Sequence, residues 1–211
     1  MKKLILFLFI FPLFIKAQVQ LLPSIGIGSL PNDTDSVCII VPRSQGNPWT
    51  AVNPGDTMAD FTLYDISGNA LTLSSVLNTG KRVLMISGSY TCPIFRNQMM
   101  ELNAVAAQFG NDIACFVVYT VEAHPTGSVM PSSGNVNPTN PPYYQPNTYG
   151  ERKAIIQDLL NGVNGPPAGN YIPVPVNVPI YIDGPCNEWW QYYNAPNNAY
   201  LIDTNGVLFA Y

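Results

Sequence analysis

Cys92 is the residue in this chain best placed for chemistry. It lies in Ser89-Tyr90-Thr91-Cys92-Pro93, after the strand-like run Val83-Leu84-Met85-Ile86 and before a helix-like run from Ile94 to Phe109. A cysteine on a strand-to-helix turn has backbone N–H groups and the positive end of a helix dipole beside it. Both favour the thiolate, which is the nucleophilic form. His124 is the sole histidine and follows the apolar run Ile113 to Tyr119. An imidazole titrates near neutral pH, so it can move protons where Asp or Lys cannot. Glu122, two residues earlier, falls on the same side of an extended chain and is placed to orient or charge that imidazole. Ser89 and Thr91 offer hydroxyls to a substrate or to the thiolate. Each residue also has a plainer reading: a passive thiol, a surface imidazole, a solvated carboxylate.

The elements that must position these residues are legible in the pattern. Asp60-Phe61-Thr62-Leu63-Tyr64 alternates as a half-buried strand does. Ser67-Gly68-Asn69 is a turn, Leu71-Thr72-Leu73 a short strand, and Ser74 an N-cap for a short helix over 75–77. After the cysteine turn, Phe95, Met99, Leu102, Ala106 and Phe109 form one apolar helix face. Ile113 to Tyr119 is a near-continuous β-branched run, as in a central strand covered on both faces. Two strands joined by such a helix read as a parallel βαβ unit. A helix over 149–160, a strand over 178–182 and a hairpin about Asn205-Gly206 follow. Residues 18–53 read as an irregular extension or edge hairpin with one strand candidate, Val37 to Val41. The stretch 125–148 is a long loop dense in Pro, Asn and Tyr, of the kind that usually serves as a lid or binding surface.

Bulk properties narrow the class. The chain has 211 residues, four cysteines, 20 prolines and 16 glycines, and only 10% of its residues are charged. A formal net charge of −4 with no basic cluster argues against a nucleic-acid partner. Lys2 and Lys3, the apolar run Leu4 to Ile15 and Lys16-Ala17 before Gln18 read as a cleaved export signal over 1–17, too short for a membrane span. The expected location is periplasmic or extracellular, where disulfides persist. Four cysteines allow three pairings, and spacing does not choose among them. Cys38 with Cys186 is one candidate pair, and Cys115 inside its apolar run reads as a buried inert thiol.

The order β, β, short α, β, α, β, loop, α, β, β-hairpin resembles the thioredoxin fold: α/β, a central mixed β-sheet flanked by helices. Pro54-Gly55-Asp56 with Ala59-Asp60-Phe61-Thr62-Leu63 and Gly68 resembles the redoxin-type N-terminal β-hairpin. The domain expected is 54–211. Val178-Pro179 resembles the cis-proline that faces the active cysteine in this fold. Ser89-Tyr90-Thr91-Cys92-Pro93-Ile94-Phe95 is similar to the iodothyronine deiodinase motif Ser-Cys-Thr-selenocysteine-Pro-Pro-Phe, with Cys92 at the selenocysteine position. Val117-Val118-Tyr119-Thr120-Val121-Glu122-Ala123-His124-Pro125 resembles that family's Val-Val-Tyr-Ile-Glu-Glu-Ala-His-Pro. The resemblance implies reductive dehalogenation of an iodinated aromatic compound. Cys92 would be the nucleophile and His124 the proton donor beside Glu122, with Ser89, Thr91, Phe95 and Pro179 contacting substrate. It implies no bound cofactor or metal. An external thiol, from a small molecule or a donor protein, would be the reductant, and a homodimer is a further expectation. The pattern departs at Tyr90, where a second cysteine often stands. It departs again near the 149–160 helix, where a second histidine would fall and this chain has Tyr149, Glu151 and Arg152. The family's Gly-rich segment and last helix are not present, so the sequence reads as a fragment.

Two other functions compete. Ser89-Tyr90-Thr91-Cys92 also satisfies the Ser/Thr-x-x-Cys spacing of a peroxiredoxin-like thiol peroxidase, with Arg96 or Arg152 as the activating cation. An exported, non-enzymatic redoxin-fold module binding an aromatic ligand or partner through Tyr143, Tyr144 and Tyr149 is the other. A disulfide reductase fits less well, because Phe95 occupies the second cysteine position of Cys-x-x-Cys.

Overall fold

A computed structural model describes residues 18–40, 52–126, 143–161, 175–193 and 198–211. The expected export signal over 1–17, the end of the 37–41 strand candidate and the middle of the Pro-rich loop lie outside the described residues.

One eight-stranded sheet organises the chain, in the order β1-β2-β6-β5-β4-β7-β8, with β3 paired to β2. Its centre is the parallel trio β4 (Arg82–Gly88), β5 (Ile113–Tyr119) and β6 (Ile180–Ile182). Strands β7 (Ala199–Ile202) and β8 (Leu208–Ala210) add antiparallel beyond β4, joined through Gly206, whose φ of 82° needs no Cβ. β2 (Ala59–Tyr64) and β3 (Ala70–Thr72) form the expected antiparallel hairpin. This is the thioredoxin-like α/β arrangement, with helix α2 (Pro93–Phe109) as the crossover between β4 and β5.

The strands' alternation separates two cores. Val83, Met85, Phe116 and Val118 face a layer built from the β2–β3 hairpin, α1 (Leu73–Leu77) and α4 (Glu188–Tyr193), where Phe61 meets Trp189 edge-on with centroids 6.3 Å apart. Ile86, Val117 and Tyr119 face α2 and α3 (Tyr149–Leu160) on the other side. Of the expected α2 face, Phe95, Met99 and Leu102 are buried and Ala106 packs against them. Phe109 at the helix end is exposed.

Four expectations are corrected. The N-terminal extension is not irregular throughout: β1 (Leu22–Gly26) pairs parallel with β2. Residues 37–40 are not a strand, because their amides go elsewhere: Val37 N–H to the Asn147 carbonyl (2.8 Å) and Cys38 N–H to the Pro185 carbonyl (2.9 Å). The N-cap of α1 is Thr72, not Ser74. Ser74 instead donates its amide (3.0 Å) and hydroxyl (2.6 Å) to the Asp60 carboxylate. α4 has no counterpart in the sequence reading; its first amides, of Trp189 and Trp190, are capped by the Asp183 carboxylate at 2.9 Å each.

Candidate functional site

The register sets the site. Gly88 lies opposite Tyr119, so β4 and β5 end level and their following loops, 89–92 and 120–124, run side by side. Hydrogen bonds lace these loops together. The Thr120 amide donates to the Gly88 carbonyl (2.9 Å), and the Ala123 amide to Ser89 Oγ (3.0 Å). Thr91 donates its amide (3.0 Å) and hydroxyl (2.7 Å) to Glu122 Oε2, and its Oγ1 accepts from the His124 amide (3.0 Å). Tyr119 donates its hydroxyl to Glu122 Oε1 and accepts from the Tyr90 amide at 2.9 Å. The polar side chains of Ser89, Thr91, Tyr119 and Glu122 thus converge where α2 begins, and Cys92 is that helix's N-cap.

The His124 amide is bonded to Thr91, the residue adjacent to Cys92, and His124 is half-buried. The thiol itself is closed off, with 3% of Cys92 exposed. Burial pushes its pKa up, and the nearby Glu122 carboxylate adds to that. The amides of Phe95 and Ile94 at the helix start pull it down, as does Arg96, without closing a capping hydrogen bond.

Four site expectations are revised. Glu122 does not reach for the imidazole; fully buried, its carboxylate is occupied by Tyr119 and Thr91. Burial raises its pKa, against the hydrogen bonds from Tyr119 and Thr91 that favour the charge. The hydroxyls of Ser89 and Thr91 are likewise engaged in joining the loops, and both residues are fully buried. Phe95 is a core residue, completely buried against Gly88. Pro179 does not face Cys92. It is exposed, and its carbonyl takes the Val117 amide (2.9 Å), midway along β5 and two strands from β4.

Residues beyond the sequence-predicted set complete the site. Tyr119 is the hub between Tyr90 and Glu122; a hydroxyl ending an otherwise apolar strand is the signal that points to it. The Gln145 side chain clamps the Glu122 backbone from both directions, accepting its N–H (3.1 Å) and donating to its carbonyl (2.6 Å). Nearby, the Thr126 amide donates to the Tyr143 carbonyl (2.7 Å), and the Tyr143 ring packs on Tyr90 with centroids 5.2 Å apart. Behind Glu122 lies Arg152, fully buried, which donates to the carbonyls of Asp183 (3.0 Å) and Gly184 (2.9 Å) and to Asn187 Oδ1 (2.6 Å). Burial raises the Asp183 carboxyl to about 6, with Arg152 opposing.

Cys38 and Cys186 are joined in a disulfide, and Cys92 and Cys115 are free. Cys115 lies opposite Leu84, four residues back from the Gly88–Tyr119 pair, so roughly 13 Å of strand separates it from the level of the cysteine turn. Among the described residues no group of three His, Cys, Asp or Glu side chains could hold a metal ion, and no helix is long and apolar enough to cross a membrane.

No protein-family model matches this sequence, and no curated protein matches it. Solved structures resemble it in outline. One is described as a thiol:disulfide interchange protein, DsbE, from Chlorobium tepidum, at 16% identity over 76% of this chain and 84% of that one, TM-score 0.49. A second is the thioredoxin domain of a thiol-disulfide oxidoreductase from Bacteroides vulgatus, at 13% identity over 76% and 88%, TM-score 0.49. A third is the exposed lipoprotein thioredoxin from Streptococcus pneumoniae, at 18% identity over 72% and 87%, TM-score 0.46. At these values the fold rests on the topology described above, and no residue role is carried over.

Proposed function

We propose that this chain is a thiol oxidoreductase whose Cys92 thiolate carries out deiodinase-like reductive dehalogenation of iodinated aromatic compounds, with an external thiol as reductant. The observation that carries this reading is the lacing of the two loops around Cys92, which brings His124 to the start of α2 beside the only free cysteine at that end of the sheet. In the chemistry this supports, the thiolate takes iodine from the ring carbon and His124 protonates that carbon, leaving an Ar–H bond and a Cys92 sulfenyl iodide. A first external thiolate attacks the sulfenyl sulfur, releasing iodide and forming a mixed disulfide. A second releases Cys92 as thiol and leaves the oxidised donor disulfide. An outside donor is required because Cys38 and Cys186 are bonded to each other and Cys115 is remote.

Substrate contact requires the cover over Cys92 to open, since only 3% of the residue is exposed. That same burial favours a second reading, an exported redoxin-fold binding module without thiol chemistry. Iodide release from a diiodinated phenol in the presence of dithiothreitol separates the two. Release that is lost in Cys92→Ala and falls at least tenfold in His124→Asn is expected of the enzyme. Release no faster than Cys92→Ala leaves the binding module. The Cys38–Cys186 disulfide supports an oxidising location outside the cytoplasm.

A further inference from the structure

Arg96 stands four residues after Cys92, one turn along α2, and its amide donates to the Cys92 carbonyl (3.2 Å). Long cationic side chains on helices ordinarily carry their charge out to water. Arg96 does not: it is 6% exposed, and its guanidinium carbon lies 5.4 Å from the centroid of the Tyr90 ring. Tyr90 is itself fixed, by its amide on Tyr119 Oη (2.9 Å) and by its ring against Tyr143, whose hydroxyl donates to Asp158 on α3 (2.7 Å). The guanidinium is therefore held on a braced aromatic face, one helical turn from the thiol.

A guanidinium does not lose its proton in a protein, so this charge is permanent. A fixed positive charge near a titrating group favours its ionised form. The charged and titratable groups around the cysteine come from every packed element: Arg96 on α2, Tyr119 at the end of β5, Glu122 and His124 in the loop after it, and Arg152 with Asp158 on α3. Of these, Glu122 opposes the thiolate and Arg96 supports it, on the same side as the stronger pull of the Phe95 and Ile94 amides. Arg152 is spent on the 183–187 loop.

We propose that Arg96 is a positioning residue for the Cys92 site: braced on Tyr90, its guanidinium is a fixed positive charge that, added to the amides at the helix start, favours the ionised sulfur. This assignment rests on the reading of Cys92 as a working thiol. It concerns the charge of Arg96, which a purely structural role would not require.

The test is the pH dependence of Cys92 alkylation by iodoacetamide in the full chain, followed peptide by peptide so that Cys115 is counted separately. Arg96→Gln should raise the midpoint by about one pH unit, a roughly tenfold slower reaction at pH 7. Arg96→Lys should recover most of the wild-type profile. Tyr90→Leu keeps the charge but removes its brace, and should shift the midpoint the same way by less. Should Arg96→Gln fail to fold, Tyr90→Leu carries the same test. Arg96→Gln and Tyr90→Leu profiles superimposable on wild type overturn the assignment alone. A wild-type Cys92 that stays unreactive until well above the ordinary thiol range of about 8.5 overturns the thiol reading and this assignment with it.

Discussion

Glu122 shows how far a residue's neighbourhood can depart from its sequence pattern. The period-two rule places Glu122 and His124 on one side of an extended chain, but β5 ends at Tyr119 and the chain turns through the following residues. The carboxylate therefore swings under the cysteine turn and takes two hydrogen bonds from Thr91 and one from Tyr119. The motif names these residues together. It could not show which of them touch, because that depends on where a strand stops. Glu122→Gln separates the structural and electrostatic parts of the role. The amide NH2 group would face donors in a buried site, costing about 1–3 kcal/mol and lowering the melting temperature by about 5 °C for a chain of this size. The sign on the thiol is opposite. The Glu122 charge pushes the Cys92 pKa up, so removing it should move the alkylation midpoint to lower pH in the surviving folded protein. A thermal scan and an alkylation series on the same variant check both parts; a midpoint that moves up contradicts the charge argument.

At the scale of elements, β4, α2, β5, α3 and the β7–β8 hairpin are where their periodicity predicts, because each buries a face long enough to impose a pattern. The failures are short or aromatic. α4 is a six-residue helix, Glu188 to Tyr193, held by tertiary contacts and by the Asp183 cap rather than by a repeating stripe. Pro179 sits elsewhere than its motif implies, because a proline opening a strand looks the same whichever strand it opens, and the pairing of β6 with β5 fixes its place. Sequence reading also misses how closely α2 approaches β4. A Cβ on Gly88 would lie 2.7 Å from Phe95 Cβ and closer still to its ring, so the glycine is what lets the helix carrying Cys92 seat directly on the strand end. Gly88→Ala should cost about 1–3 kcal/mol through overpacking and change the Cys92 alkylation rate as the helix start shifts. Gly28→Ala, where a Cβ meets nothing within 4 Å, should stay within about 0.5 kcal/mol of wild type. Equal urea midpoints for the two variants would show that the close approach is not needed.

Across the whole molecule, the connection least legible in the sequence is the one between residues 148 positions apart, Cys38 and Cys186. Spacing leaves all three pairings of four cysteines open, and the apolar run bearing Cys38 reads as a strand, which does not say where it docks. It docks by backbone. The Tyr149 amide donates to the Asp35 carbonyl and the Gly150 amide to the Asp33 carbonyl, at 2.9 Å each, so the extension satisfies donors at the start of α3 that no helix can satisfy for itself. Lys153 reaches Asp33 at 2.8 Å, an exposed pair of small value. At its far end the disulfide fastens the extension to the 183–187 loop that encloses Arg152. Strap, loop and helix start therefore form one unit on the side of the sheet behind Glu122. A crosslink closing so long a loop restrains the unfolded chain by up to about 5 kcal/mol in the chain-entropy account, and measured values run lower. Cys38→Ser should accordingly lower the melting temperature by about 10 °C, and amide exchange at Tyr149 and Gly150 should accelerate far more than exchange in β4 and β5. A variant whose melting temperature and α3 protection match wild type would mean that the backbone hydrogen bonds alone hold the strap, and that the disulfide adds no restraint to the native fold.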